Sequence, residues 1–393
     1  MTITSTSFLP YGRQDIQESD ISAVVEVLRS PLLTQGPAVP QFEDAVAEMV
    51  GSKYSVAVNS ATSALHLACL ALGLGPGDRL WTSSTSFVAS ANCALYCGAD
   101  IDFVDINPLT GLMCEESLSQ KLVLAEKHGC LPKIVVPVHL AGSSCDMRSI
   151  RSLATRYNFS IIEDASHAIG GKYCGSYVGS CEFSDITVFS FHPVKIITSA
   201  EGGMAVTNNI VLAQYMRDLR SHGITKDSSR FTLPSPGPWS YEQQSLGFNY
   251  RMNDIQAALG LSQLSRIDWI VKERNRLLDH YRLLLNDFPV RLLDVPDDVV
   301  SSVHLGIICL LEYDPELHLE LFRRFRKEDI GVQLHYTPIH LQPYYRGLGF
   351  CEGQFPHSEA YAFSALSLPL FPGISLVEID RVMEVFVSQY SGN

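Results

Sequence analysis

The chain has 393 residues, of which 46% are hydrophobic and 18% charged, so it carries enough apolar material for a sizeable core and is not a disordered chain. Its net charge is −13, with a pI near 5.3, which excludes a general nucleic-acid or anionic-membrane binder but leaves room for one local pocket for a phosphorylated ligand. Ten cysteines are scattered with no CxxC pair, which points to free thiols in a reducing compartment rather than to a disulfide framework or a zinc site.

The opening MTITSTSFLPYG has neither the basic nor the apolar region of a secretory signal. The most apolar helical run, ALHLACLALGLG (64–75), is shorter than the ~20 residues a bilayer span takes, so no membrane association is expected and the cytoplasm is the expected compartment. Residues 20–30 have helical spacing, with Ser19 or Asp20 as a cap. Strand-like runs follow at 54–60, 79–86, 100–106, 133–140, 159–166 and 185–191, with helical runs after the first two and between the fourth and fifth. This alternation predicts an α/β fold with a mostly parallel sheet covered on both faces. Such sheets bind ligands at the carboxyl ends of their strands, where 59–63, 83–87 and 164–167 cluster polar residues. The Ser/Pro/Gly-rich stretch 223–248 is a long loop of the kind that is functional or reaches a neighbour. A long helical segment (253–285), a strand (302–312) and a helix (315–330) then predict a smaller α+β domain, dividing the chain into 1–250 and 251–393.

FSFHPVKIITSAEGG (189–203) places one lysine, Lys195, in an apolar run. Two readings are open: a side chain that snorkels to water, or an amine kept near neutrality by burial and able to react with a carbonyl. The second needs the rest of a cofactor site. Asp164 ends the strand SIIED, either as a strand-end cap or as a partner for the ring nitrogen of pyridoxal phosphate. His167 follows three residues later, within reach of a ring oxygen. A metal site built on Asp164 and His167 lacks the further ligands it would need. NSATSAL (59–65) lies between a strand and a helix, where Thr62 and Ser63 serve as caps or as phosphate donors, and Ser190 adds a hydroxyl. Phe87, after a strand end, is a core side chain or a platform for an aromatic ring. Together these residues stand in the order an α/β enzyme using pyridoxal phosphate presents them.

With LTQGPAVPQFE (33–43), NSATSALHLA (59–68), EDASHAIGG (163–171), the lysine segment and LGFNYRMNDIQAALG (246–260), nearly the whole chain resembles the DegT/DnrJ/EryC1/StrS sugar aminotransferases. These belong to the aspartate aminotransferase-like, fold-type I enzymes, and the resemblance implies a large domain with a seven-stranded, mostly parallel sheet. It also implies pyridoxal 5′-phosphate as cofactor, with Lys195 as the lysine that binds it and shuttles the proton. Asp164 would face the ring nitrogen, His167 the ring hydroxyl and Phe87 the ring, while Thr62, Ser63 and Ser190 would hold the phosphate. Asn249 would reach the phosphate in a second subunit, so a homodimer with shared sites is implied.

The lysine segment and LHYTPIHLQPYYR (334–346) look most like the aminotransferase of pseudaminic-acid biosynthesis. That likeness implies amino transfer from L-glutamate to C4 of a UDP-linked 4-keto-6-deoxy-N-acetylhexosamine. Another nucleotide-linked keto sugar, UDP or dTDP, 3- or 4-keto, is the alternative. Arg13, His335 and Tyr336 are the candidate substrate contacts. Ile196 stands where the family pattern has proline, which predicts a looser turn after the lysine. Related dehydratases carry histidine at the lysine position, so Lys195 speaks against that chemistry. A non-catalytic regulatory relative is the remaining alternative.

Overall fold

The computed structural model describes residues 8–390. Residues 1–7, part of the stretch read as lacking a secretory signal, lie outside it.

Seven strands form the main sheet: β1 (Tyr54–Val58), β2 (Arg79–Ser83), β3 (Asp100–Val104), β4 (Ile134–Val136), β5 (Ser160–Asp164), β6 (Ile186–Ser190) and β7 (Gly203–Thr207), in the order β1-β7-β6-β5-β4-β2-β3. The pairs from β6 through β3 are parallel, and β7 runs antiparallel to both β1 and β6. Every residue of β6 and β7 is buried, as expected where helices cover both faces. Side chains alternate between those faces: Val188 packs in one apolar cluster with Val136 and Ile162, and Phe189 in another with Phe42 and Phe191.

The helices α1 (Glu18–Arg29), α2 (Ala38–Val50), α3 (Ala61–Ala71), α4 (Ala89–Tyr96), α5 (Glu115–His128), α6 (Met147–Tyr157) and α7 (Ile210–Arg220) accompany this sheet. The cap of α1 is Gln17, and Asp20 lies inside the helix, accepting the Gln17 N–H at 2.9 Å. Asp20 is fully buried because Arg266 grips both its carboxylate oxygens, at 3.0 and 2.9 Å. That contact needs a bend: the segment predicted as one helix is two, α8 (Asp254–Leu264) and α9 (Ile267–Leu285), with Arg266 between them. Asp254 at the start of α8 accepts the N–H groups of Gly36 and Ala38, both at 2.9 Å, and so ties down the LTQGPA segment.

A smaller antiparallel sheet, β8 (Val290–Leu292), β9 (Gly306–Leu310) and β10 (Ala365–Leu368), packs with α9, α10 (Pro315–Lys327) and the C-terminal α11 (Leu376–Tyr390). The apolar cores divide within α9 rather than at residue 250. Ile267 and Ile270 pack with α2 and α8, whereas Leu277 and Tyr281 pack on the small sheet. The N-terminal arm also joins the small unit: Leu9 is buried there and exchanges backbone hydrogen bonds with Asp329 and Gly331.

The loop between β6 and β7 carries Lys195. Phe191 N–H donates to Gly202 O (2.9 Å), and Ser199 N–H and Thr198 Oγ1 donate to Phe191 O (both 3.0 Å), which closes the loop on itself. Ile196, expected to loosen this turn, is buried with Ile197 in the core, so apolar packing holds the loop. Gly203 is required where β7 passes the turn after β1: a Cβ there would lie 2.5 Å from Ala61 N and from Ser60 C. Gly203→Ala is therefore expected to lower stability by about 1–3 kcal/mol, read as a lower urea midpoint; an unchanged midpoint would show that this turn has room to move.

Candidate active site

The carboxyl ends of β1, β2, β5 and β6, the β6–β7 loop, and a segment of the small unit enclose a cavity of about 510 Å³. Lys195, Asp164, His167, Phe87, Thr62, Ser190, His335 and Tyr336 all line it. Eight side chains scattered over more than 270 positions of the chain thus meet at the switch region of the sheet.

Lys195 opens onto the cavity, so its side chain is half-buried by surface exposure, while protein surrounds the amine on its other sides. That desolvation lowers its pKa to about 8, against the pull of the Asp164 charge. Among the described residues no carboxylate forms an ion pair with it. Neighbouring histidines add no positive charge at neutral pH. Burial first, and then Lys195, push His335 down to about 3 and His167 well below its ordinary value, while burial first, and then His167 and Lys195, push His304 well below its own. His192 is also lowered, by burial and by Lys195, against the pull of Glu201.

Asp164 is 5% exposed and holds three donors: Ser90 Oγ at 2.6 Å on one oxygen, and Ser166 Oγ (2.6 Å) and Ser166 N (3.1 Å) on the other. The donors are hydroxyl and amide protons, which hold a carboxylate in one orientation. Among the described residues no cluster of His, Cys, Asp and Glu has the arrangement a metal ion would need. Phe87 is 57% exposed, so it is not a core side chain; its ring stands in the cavity wall, 6.2 Å from that of Tyr336.

Three candidates fall outside the cavity wall. Ser63 is buried in the first turn of α3, where Oγ donates to Asn59 Oδ1 (2.7 Å) and its N–H donates to Ser60 Oγ (3.2 Å). The wall at this turn is made by Ser60, Ala61 and Thr62 instead. A helix turns by about 100° per residue, so Thr62 and Ser63 cannot face the same way. Arg13 is exposed, with its guanidinium 5.0 Å from the Phe371 ring. Asn249 is exposed and its backbone bridges Ser221, so within this chain it reaches no part of the site.

The structure adds residues that the sequence reading did not single out: Tyr11, Ser60, Ser166, His192, Glu201, His304 and Gln333 in the wall, and Ser90 behind Asp164. His192 and Glu201 stood inside the lysine segment and Tyr11 inside the opening MTITSTSFLPYG. Nothing in SVHLG marked His304, whose ring centroid lies 4.4 Å from that of His167.

Comparison with known proteins places this cavity in context. The family model for the DegT/DnrJ/EryC1/StrS aminotransferase family matches residues 14–387. The chain is 38% identical, over 96% of each sequence, to the spore coat polysaccharide biosynthesis protein SpsC of Bacillus subtilis. It is 36% identical, over 97% of each, to the UDP-4-amino-4,6-dideoxy-N-acetyl-beta-L-altrosamine transaminase of Campylobacter jejuni. Among solved structures it is similar to Helicobacter pylori PseC, an aminotransferase involved in the biosynthesis of pseudoaminic acid. The TM-score is 0.89 and the identity 31%, over 98% of this chain and 100% of that one.

The reactivity of the amine is open to measurement. With a small aldehyde as probe, the apoprotein's Lys195 is expected to react at a rate that rises with pH and levels off above about 8. A midpoint near ~10.4, the ordinary lysine value, would show that the amine is not desolvated. Because folding disfavours the charged amine, Lys195→Met is expected to stabilise the apoprotein at neutral pH. That advantage shrinks as pH rises through about 8 toward the unfolded value.

Proposed function

The chain belongs to the DegT/DnrJ/EryC1/StrS aminotransferase family, and from that premise we propose that it moves an amino group from L-glutamate to C4 of a UDP-linked 4-keto-6-deoxy-N-acetylhexosamine. The products are 2-oxoglutarate and UDP-4-amino-4,6-dideoxy-N-acetyl-β-L-altrosamine. The observation that carries amino transfer is Lys195, a desolvated amine without an ion-pair partner among the described residues, in one cavity with the hydrogen-bonded carboxylate of Asp164. The relative from Campylobacter and the fold likeness to PseC support the choice of sugar.

Pyridoxal 5′-phosphate is the cofactor of this family. The residues present fit it on their chemistry. Thr62, Ser190 and the amide end of α3 are a donor set for a phosphate, Phe87 offers a bare aromatic face, and Asp164 offers an oriented acceptor for a protonated ring nitrogen. Bound there, the cofactor supplies the carbonyl carbon that carries the amino group and a ring that accepts the electrons left when Cα loses its proton.

The chain's own residues do the rest. Lys195 Nζ must be neutral to take the proton from Cα of glutamate, and a pKa of about 8 leaves roughly a tenth of it neutral at pH 7. With the cofactor held there, the protonated amine would be the group that hands the proton on, and the same Nζ would serve in the opposite sense when the keto sugar is bound. Ser90 and Ser166 keep Asp164 from swinging away, so its charge stays aimed into the cavity. His335 and Tyr336, from the small unit, close the side where a sugar would lie.

The working unit we propose is a homodimer in the cytoplasm. The 223–248 loop leaves Trp239 76% and Leu246 83% exposed, which a second copy would cover, and Asn249 would serve the partner's phosphate. Among the described residues no helix is long and apolar enough to cross a membrane.

The test is amino transfer from glutamate across a panel of UDP- and dTDP-linked 3- and 4-keto sugars. The UDP-linked 4-keto-6-deoxy-N-acetylhexosamine is expected to have the highest kcat/KM, and a preference for another sugar would reassign the substrate. Lys195→Ala is expected to lose at least about 1000-fold in kcat while still binding the sugar nucleotide. Near-normal turnover in that variant would sink the transaminase reading itself.

A further inference from the structure

The direction of one hydrogen bond in the cavity wall follows from a backbone amide. Ala141 N–H points at Nδ1 of His167, at 3.3 Å. A backbone N–H can only donate, so Nδ1 is the bare, accepting nitrogen and the ring proton sits on Nε2. Nε2 lies 3.2 Å from Tyr336 Oη. His167 is therefore the donor and Tyr336 the acceptor of that bond. Both rings are mostly enclosed. Burial with Lys195 and His335 nearby keeps His167 neutral, and burial with the Asp164 charge holds the Tyr336 phenol far above its ordinary pKa.

The amide that sets this direction is itself locked. Ala141 has φ +58°, and its carbonyl accepts the His304 N–H at 2.7 Å. Gly142 follows at φ +102°, where a Cβ would lie 2.7 Å from both Ser302 Oγ and Val303 N. Ser302 Oγ in turn donates to His167 O (2.9 Å). Residues 139–142, 167 and 302–304 thus interlock, and the Ala141 amide cannot turn away without breaking this packing.

The Tyr336 proton is left over. Among the described residues Oη has no second hydrogen-bond partner, and it faces the cavity beside Phe87. We propose that Tyr336 is a preset donor of the site, giving its hydroxyl proton to an acceptor oxygen of the bound ligand, with His167 and Ala141 as the residues that aim it. That oxygen belongs either to the cofactor's ring or to the substrate carbonyl. The inference rests on the transaminase reading for the identity of the ligand, but the hydrogen-bond direction stands apart from it.

Two measurements test it. In ¹⁵N-histidine-labelled protein, with and without cofactor, His167 is expected to show a bare Nδ1 and a protonated Nε2 from about pH 6 to 8. A proton on Nδ1, or a charged ring at neutral pH, would overturn the proposal without touching the transaminase reading. Tyr336→Phe, which removes only the hydroxyl, is then compared with wild type as holoenzyme. If the acceptor is on the cofactor, its visible absorption titration shifts to higher pH and both half-reactions slow by about 10-fold. If the acceptor is on a substrate, the spectrum is unchanged and one half-reaction alone loses about 10-fold in kcat/KM. An unchanged spectrum with both half-reactions within about twofold of wild type would also overturn it. A wild-type protein that binds the cofactor but does not react with any amino donor would count against the transaminase reading, not against the direction of the Tyr336 hydrogen bond.

Discussion

The antiparallel return of the chain from β6 into β7 is the constraint on which the site depends. Because β7 lies between β1 and β6, the turn after β1, the end of β6 and the lysine loop are forced to share one edge of the sheet. A parallel connection would have needed a long crossover and would have carried Lys195 away. The return on the same end keeps Lys195 there, and the glycine at 203 lets the backbone of β7 pass the Ser60–Ala61 turn at close range. The phosphate-type turn and the reactive amine are therefore neighbours by topology, before any side chain is chosen.

Charge in the cavity is arranged by scarcity. Lys195 loses water without gaining an ion-pair partner among the described residues, and the histidines around it are held neutral by burial and by the lysine itself. Asp164 is the counterweight, and its three donors satisfy it without neutralising it. A cavity arranged in this way keeps an amine that can both take and give a proton near neutral pH. Arg274, behind the wall, is buried without a carboxylate partner among the described residues, and its Nη1 donates to the carbonyls of Val303, His304 and Leu370.

The two cores are tied together by α9, whose first turns pack with α2 and α8 and whose later turns pack on the small sheet, and by Leu9, which carries the N-terminal arm into the small unit. The wall residues His304, His335 and Tyr336 come from that small unit, so its seating on the large one decides whether the site is closed. Tyr11, from the arm, packs 5.1 Å from the ring of His335 and joins the same wall.

Lys195, Asp164, Ser190 and Thr62 were legible in the sequence because each sits in a short motif at the end of a strand, where alternation of strand and helix already says which end carries ligands. By itself the sequence determined the α/β alternation, the order of these motifs and the family they resemble. It did not show β7, whose five residues begin on the second glycine of a Gly-Gly pair and carry no alternating pattern of their own. Nor did it show the break between α8 and α9, since apolar spacing continues across it and only the reach of Arg266 to Asp20 demands the bend. Ser63 was indistinguishable from Thr62 until the helix phase separated them. His304 and the direction of the Tyr336 hydrogen bond were decided by tertiary structure alone. They depend on segments about 160 residues apart meeting across the Ala141 peptide, and contacts of that range leave no local pattern in a chain.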